Sequence, residues 1–91
     1  MLPQTSDHTP SLLRGVSEVR FCEVLELSAT GAALKLSTPP PVRPVLLSFQ
    51  LAGEHVMVPI TEARERRDGR VAVSFGPACE RRLERLLALA A

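Results

Sequence analysis

Ninety-one residues carrying eleven basic and ten acidic side chains, for a net charge of +1, leave room for one domain, because a chain this short buries only about 60% of its unfolded surface. The near balance of charge excludes a general polyanion binder working by long-range attraction. An apolar share of 45%, with no Trp, no Tyr and only Phe21, Phe49 and Phe75 as aromatics, points to a globular fold around an aliphatic core.

Residues 1–11 (MLPQTSDHTPS) hold two prolines and several small polar side chains, too little apolar surface to offset the entropy of ordering. They read as a mobile tail ahead of a domain over 12–91. Pro3, Asp7, His8 and Pro10 interrupt any signal-peptide-like run, and no stretch nears the ~20 apolar residues that cross a bilayer. The expectation is a soluble, cytoplasmic domain without membrane insertion. Cys22 and Cys79, the only cysteines, read in that setting as two reduced, partly buried thiols.

From Leu12 to Leu27 the pattern is β-like. By the two-residue period, Val19, Phe21, Leu25 and Leu27 share one face, and Glu23 breaks it, which calls for a bulge or an edge position. The turn Glu26-Leu27-Ser28-Ala29-Thr30-Gly31 follows, and then Ala32, Leu34 and Leu36 alternate with Ala33, Lys35 and Ser37 as a half-buried strand. Thr38-Pro39-Pro40-Pro41-Val42-Arg43-Pro44 ends that strand, because proline lacks the amide donor and fixes its own φ. This segment reads as a stiff connector, with a polyproline ligand for a partner domain as the other reading.

Val45, Leu47, Phe49 and Leu51 alternate with Leu46, Ser48 and Gln50, and Ala52-Gly53-Glu54 makes a hairpin-type turn. Val56, Val58 and Ile60 continue the alternation, with Pro59 on the opposite face at an edge or bulge. The charged run from Glu62 to Arg67 extends this strand or leaves it, and Asp68-Gly69 is a strong hairpin dipeptide. Val71, Val73 and Phe75 form the last strand. Over Ala78 to Ala90 the period changes to about 3.6, which puts Cys79, Leu83, Leu86, Leu87 and Ala90 on one helical stripe. The whole is all-β with one C-terminal helix: five or so antiparallel strands in a small barrel or strongly bent sheet that the helix closes.

Catalytic constellations are scarce. His8, His55, Cys22 and Cys79 form no spaced ligand set of the kind zinc requires, and no sequence context raises Cys22 with His55 above a packed thiol beside a turn. No phosphate-binding glycine fingerprint is present. The expectation is not an enzyme. The three phenylalanines read as core and leave no stacking platform for single strands, and Arg64, Arg66, Arg67 and Arg70 read as a solvated hairpin tip. No DNA or RNA partner is expected, and a generic small-barrel interaction domain remains the third reading.

Taken together, Glu26 to Leu34, the proline-rich link, the Val45 to Leu51 strand, Arg70-Val71-Ala72-Val73-Ser74-Phe75 and the leucine-rich helix resemble a PilZ domain over roughly residues 16 to 90. The resemblance implies an antiparallel split β-barrel of six strands with a C-terminal helix, in a bacterial family of which many members bind cyclic di-GMP. Its Asp/Asn-x-Ser-x-x-Gly turn is matched at Ser28 and Gly31, with Glu26 in place of Asp or Asn. On that pattern Glu26 and Ser28 present polar groups to a guanine edge or phosphate, and Gly31 allows close approach and positive φ. The Arg-x-x-x-Arg motif is missing, because Arg14 and Arg20 stand six apart and no basic residue precedes Arg14. Two functions follow. One is a regulatory or adaptor module with weak or lost nucleotide binding and a protein partner. The other is a true cyclic di-GMP receptor in which Arg14, Arg20 or the Arg64 to Arg70 cluster stands in for the missing pair.

Overall fold

The computed structural model of the chain describes residues 11–90. Six antiparallel strands follow one another as β1 (Ser11–Arg14), β2 (Val19–Leu27), β3 (Gly31–Lys35), β4 (Leu46–Leu51), β5 (Glu54–Glu65) and β6 (Arg70–Phe75). A single 3-10 turn, Pro77–Cys79, then leads into the helix α1 (Glu80–Ala90). In space the strands run β1-β2-β3-β6-β5-β4, and β4 returns to pair with β1, so the sheet closes on itself. The all-β fold with one C-terminal helix expected from the sequence is the fold adopted. Ser11 already pairs with Cys22 in β1, so the tail expected over 1–11 loses its last residue to the barrel, and the rest of it lies outside the described residues.

The inward face is aliphatic and continuous across the ladders. Leu13 pairs with Leu47, Leu47 with Val58, and Phe49 with Val56, while Leu34 pairs with Val71 and Ile60 with Phe75. Leu83 and Leu86 of α1 join this same buried cluster, and at ~1.5–3 kcal/mol per buried leucine they fasten the helix to the barrel. Leu87 is half-buried and Ala90 is exposed, so the inward stripe of α1 ends earlier than its period suggests. Arg82 adds a 3.3 Å ion pair to Glu54 at the start of β5.

β5 holds the two halves of the barrel together. Its first half pairs with β4 as far as Leu46↔Pro59, and its second half pairs with β6 from Ile60↔Phe75 onward, with a bulge at Thr61. Pro59, which has no amide to donate, therefore stands where the strand changes partner. The bulge expected near it is present two residues on.

The face assignment of β2 is corrected. Cys22, Val24 and Leu27 pack against the core, whereas Phe21 is 71% exposed and Val19 and Leu25 also face outward. The irregularity is at Leu25, between Val24↔Leu34 and Glu26↔Ala33, and not at Glu23, which sits on the outer face opposite Lys35. The extra residue lets Leu25 and Glu26 both face out and returns Leu27 to the inside. Phe21 is consequently not a core residue, although Phe49 and Phe75 are.

The proline-rich connector is tied down. Pro41 is buried against the β1–β2 turn, where a Cβ built on Gly15 would lie 2.6 Å from the Cβ of Pro41. The carbonyl of Pro39 accepts a 3.2 Å hydrogen bond from Arg20 Nε. A segment held this way serves as a connector, with Pro41 buried, Pro40 and Pro44 half-buried and Pro39 exposed.

Candidate functional site

The turn after β2 builds itself from the residues that matched the motif. The Ser28 amide donates to the Gly31 carbonyl at 2.9 Å. Ser28 Oγ accepts from the amides of Thr30 (3.3 Å) and Gly31 (3.2 Å) and lies 3.2 Å from the Gly31 carbonyl, to which it donates. The hydroxyl is thus engaged within its own turn. Gly31 is not in the left-handed region, since the positive-φ residues are Ala52, Gly53 and Gly69. What requires glycine is contact with β6, because a Cβ at this position would lie 2.4 Å from the Val73 carbonyl oxygen. The close approach expected of Gly31 is real, but its partner is the barrel's own backbone.

Glu26 faces outward because of the bulge at Leu25, and there it borders a groove across β2, β3, β6 and β5. The groove comprises three adjoining hollows. One of about 360 Å³ is lined by Glu26, Ser28, Gly31, Ala33, Arg66 and Ala72. A second of about 340 Å³ adds Leu25, Asp68 and Arg70, and a third of about 220 Å³ adds Glu62, Arg64 and Ser74. Ala33 pairs with Ala72, and Ala72 with Arg64, so the floor is made of small side chains and the walls of long charged ones. Arg70 is paired with Asp68 at 3.2 Å. Among the described residues, neither Arg64 nor Arg66 has a carboxylate within 4.0 Å. Arg66 borders all three hollows, which makes it the basic group best placed to meet a ligand in the groove.

Arg14 and Arg20 lie elsewhere. Six residues along β2 separate Arg20 from Glu26, about 20 Å of extended chain, and Arg20 turns toward the inner side of the wall while Glu26 faces out. Arg20 Nη2 donates to Glu18 Oε1 at 2.5 Å and Nη1 to the Val19 carbonyl at 3.2 Å. With Nε on Pro39, all three guanidinium nitrogens are occupied. Arg14 ends β1 beside Val19 and Leu46, is exposed, and its carbonyl accepts from the Val45 amide at 2.7 Å. The five residues assigned to the nucleotide from sequence are therefore split. Glu26, Ser28 and Gly31 share the groove, and Arg14 and Arg20 belong to the far end of the barrel.

The remaining reactive side chains do not converge. Cys22 is on the inner side of β2 and its thiol is pushed up to about 11 by burial, so it stays protonated at neutral pH. His55 is exposed on the outer side of β5, opposite Gln50. His8 lies outside the described residues. Among the described residues no helix is long and apolar enough to cross a membrane.

Sequence reasoning located the turn and named the Arg64 to Arg70 cluster both as a hairpin tip and as a stand-in for the missing pair, but did not single out Arg66 within it. The signal was present in the alternation of Glu62, Arg64 and Arg66 opposite the small residues Ser74 and Ala72, which marks one shared face. The chain matches no family model, no curated protein and no solved structure, so what the groove does is read from its own residues.

Proposed function

We propose that this chain is a PilZ-like regulatory or adaptor module of bacterial cyclic di-GMP signalling that acts through a protein partner, with a weakened or lost nucleotide site. One observation carries this reading: the two arginines nearest the family's first motif are held away from the turn that resembles the second. Arg20 is committed to Glu18 and Pro39, and the hydroxyl of Ser28 is committed to its own turn. A ligand gripped from both sides needs charge-assisted, bidentate donors converging on it, and that convergence is missing around Ser28. Calorimetric titration with cyclic di-GMP tests the proposal. No heat and no shift in melting temperature at about a hundred micromolar ligand is the expected result, because binding at a tenth of that concentration would raise stability measurably.

A second reading is supported by Arg66. It lines the same hollow as Glu26, Ser28 and Gly31, so a true cyclic di-GMP receptor would use it in place of the missing pair. Micromolar binding lost in Arg66→Ala, and retained in Arg14→Ala and Arg20→Ala, would replace the first reading by this one.

A further inference from the structure

We infer that the outer face of β2, β1, β4 and β5, together with the two loops at its end, docks an amphipathic helix of a protein partner that carries acidic residues beside its apolar stripe. This rests on the reading of the domain as an adaptor and names the surface and the chemistry of its partner.

The ladders place apolar side chains in rows on this face. Exposed Phe21 pairs with half-buried Leu12, Leu12 with Ser48, a small polar residue buried within the row, and Ser48 with exposed Met57. The neighbouring row runs Val19, Arg14, Leu46, Pro59 through the same three ladders. Beyond it, the β1–β2 turn with Val16 touches the connector that bears Val42, since Gly15 abuts Pro41 and the carbonyl of Arg43. Val45 joins this end, with its amide on Arg14 and its carbonyl on Ile60. Of the eight large apolar side chains left exposed among the described residues, six fall here: Val16, Val19, Phe21, Val42, Val45 and Met57. Such a concentration marks an interaction surface, whereas scattered exposed leucines and valines do not.

The charges on this surface select the occupant. Arg14 and Arg43 are basic, and of the nearby carboxylates among the described residues Glu18 is held by Arg20 and Glu23 stands opposite Lys35. Glu23 and Lys35, directly opposite one another, bound the patch on its far side. A two-fold contact with a second copy would set the patch against itself and bring Arg14 and Arg43 toward their own copies, while Glu18 and Glu23 each already stand beside a basic residue. An anionic bilayer is also disfavoured. The apolar residues extend from the loops down the convex side of the barrel, which a plane cannot follow, and the chain has neither Trp nor Tyr for the interface and a net charge of only +1. The closed barrel offers no strand edge for a β-strand to extend. A helix with an apolar stripe and acidic flanks meets all three conditions.

The test uses the full chain, isotope-labelled for amide spectra, and two display libraries of helical peptides of about fifteen residues, a length at which designed helices begin to hold. The libraries share an apolar stripe and differ in flanking it with Glu or with Lys. The expected result is selection from the Glu library, with amide shifts centred on Arg14, Phe21, Val42 and Met57. The double variant Phe21→Ser, Met57→Ser should weaken binding about tenfold or more, and Arg14→Glu with Arg43→Glu should reverse the preference toward the Lys library. All four side chains are exposed, and unchanged melting curves confirm that the variants fold. Equal selection from both libraries, no selection from either, shifts centred on Glu26 and Arg66, preference for phosphatidylserine vesicles, or self-association through these residues would each overturn the inference. Titration with cyclic di-GMP is read separately. Tight binding there removes the adaptor reading and leaves the peptide result to stand or fall alone.

Discussion

Gly31→Ala separates a glycine kept for a ligand from one kept for the barrel. The added Cβ would sit 2.4 Å from the Val73 carbonyl oxygen, so β3 and β6 must part by at least ~0.6 Å to reach even the shortest separation real Cβ atoms show. The obstruction is backbone in a ladder that also carries the Gly31↔Ser74 pair, and it has no flexible end to swing aside. Overpacking of this kind costs about 1–3 kcal/mol, against about 0.4–1 kcal/mol gained because alanine has less freedom to lose on folding. The net loss is about 1–2 kcal/mol, which for a domain of this size lowers the melting temperature by about 5–15 °C. Gly76→Ala is the matched control. Its φ is −67° with ψ 146°, and the nearest atom to a new Cβ is Pro59 Cγ at 3.6 Å, so it should melt at or slightly above the parent. Thermal denaturation followed by circular dichroism reads both. A Gly31→Ala variant as stable as Gly76→Ala would refute the argument that contact with β6 dictates this glycine.

Phe21→Ser should leave stability within about 0.5 kcal/mol of the parent, as exposed substitutions do, while Phe49→Ala, at 2% exposure, should cost about 3–5 kcal/mol; urea titration of both variants checks the corrected face of β2. Arg20→Ala removes the contact between the β2 strand and Pro39 and should cost about 1 kcal/mol, with faster amide exchange confined to the connector between β3 and β4; uniform acceleration through the barrel would contradict the anchoring role. Because burial raises the Cys22 thiol to about 11, the unfolded chain releases this proton first as pH rises. The contribution of Cys22 to stability is therefore whole below the ordinary thiol range and is lost as pH climbs through about 11. In the same range below pH 9, its thiolate fraction is on the order of a hundredfold smaller than that of an ordinary cysteine, so alkylation of Cys22 in the Cys79→Ser variant should be slower than in the unfolded chain by that factor.

Much of the fold was legible because β4, the first half of β5 and β6 each put their aliphatic residues on alternate positions and end in recognisable turns. Gly69, with φ +79°, makes the hairpin that Asp68-Gly69 announces. β2 was harder to read. A period of two says which residues share a face but not which face is buried, and by that period β2 offers Val19, Phe21, Leu25 and Leu27 on one side and only Cys22 and Val24 on the other. The bulge at Leu25 decides between them, and it arises from barrel curvature that involves strands far away in sequence. The same holds for the groove. Ser28 and Gly31 were visible as a turn, while Arg66 reaches them only because β5 bends at Thr61 and crosses over to β6. The separation of Arg14 and Arg20 from the turn could be suspected from spacing, but the role of Arg20 depended on where Pro39 would lie.

The passage of β5 from one neighbour to the other at Pro59 also fixes how finely this domain can be divided. A strand that completes both half-sheets cannot be surrendered by either, so a nick in the Ala52-Gly53 turn should yield two fragments, neither of which folds until the other arrives. The longest strand is in this sense the keystone of the vault, and the barrel folds and unfolds as a single piece.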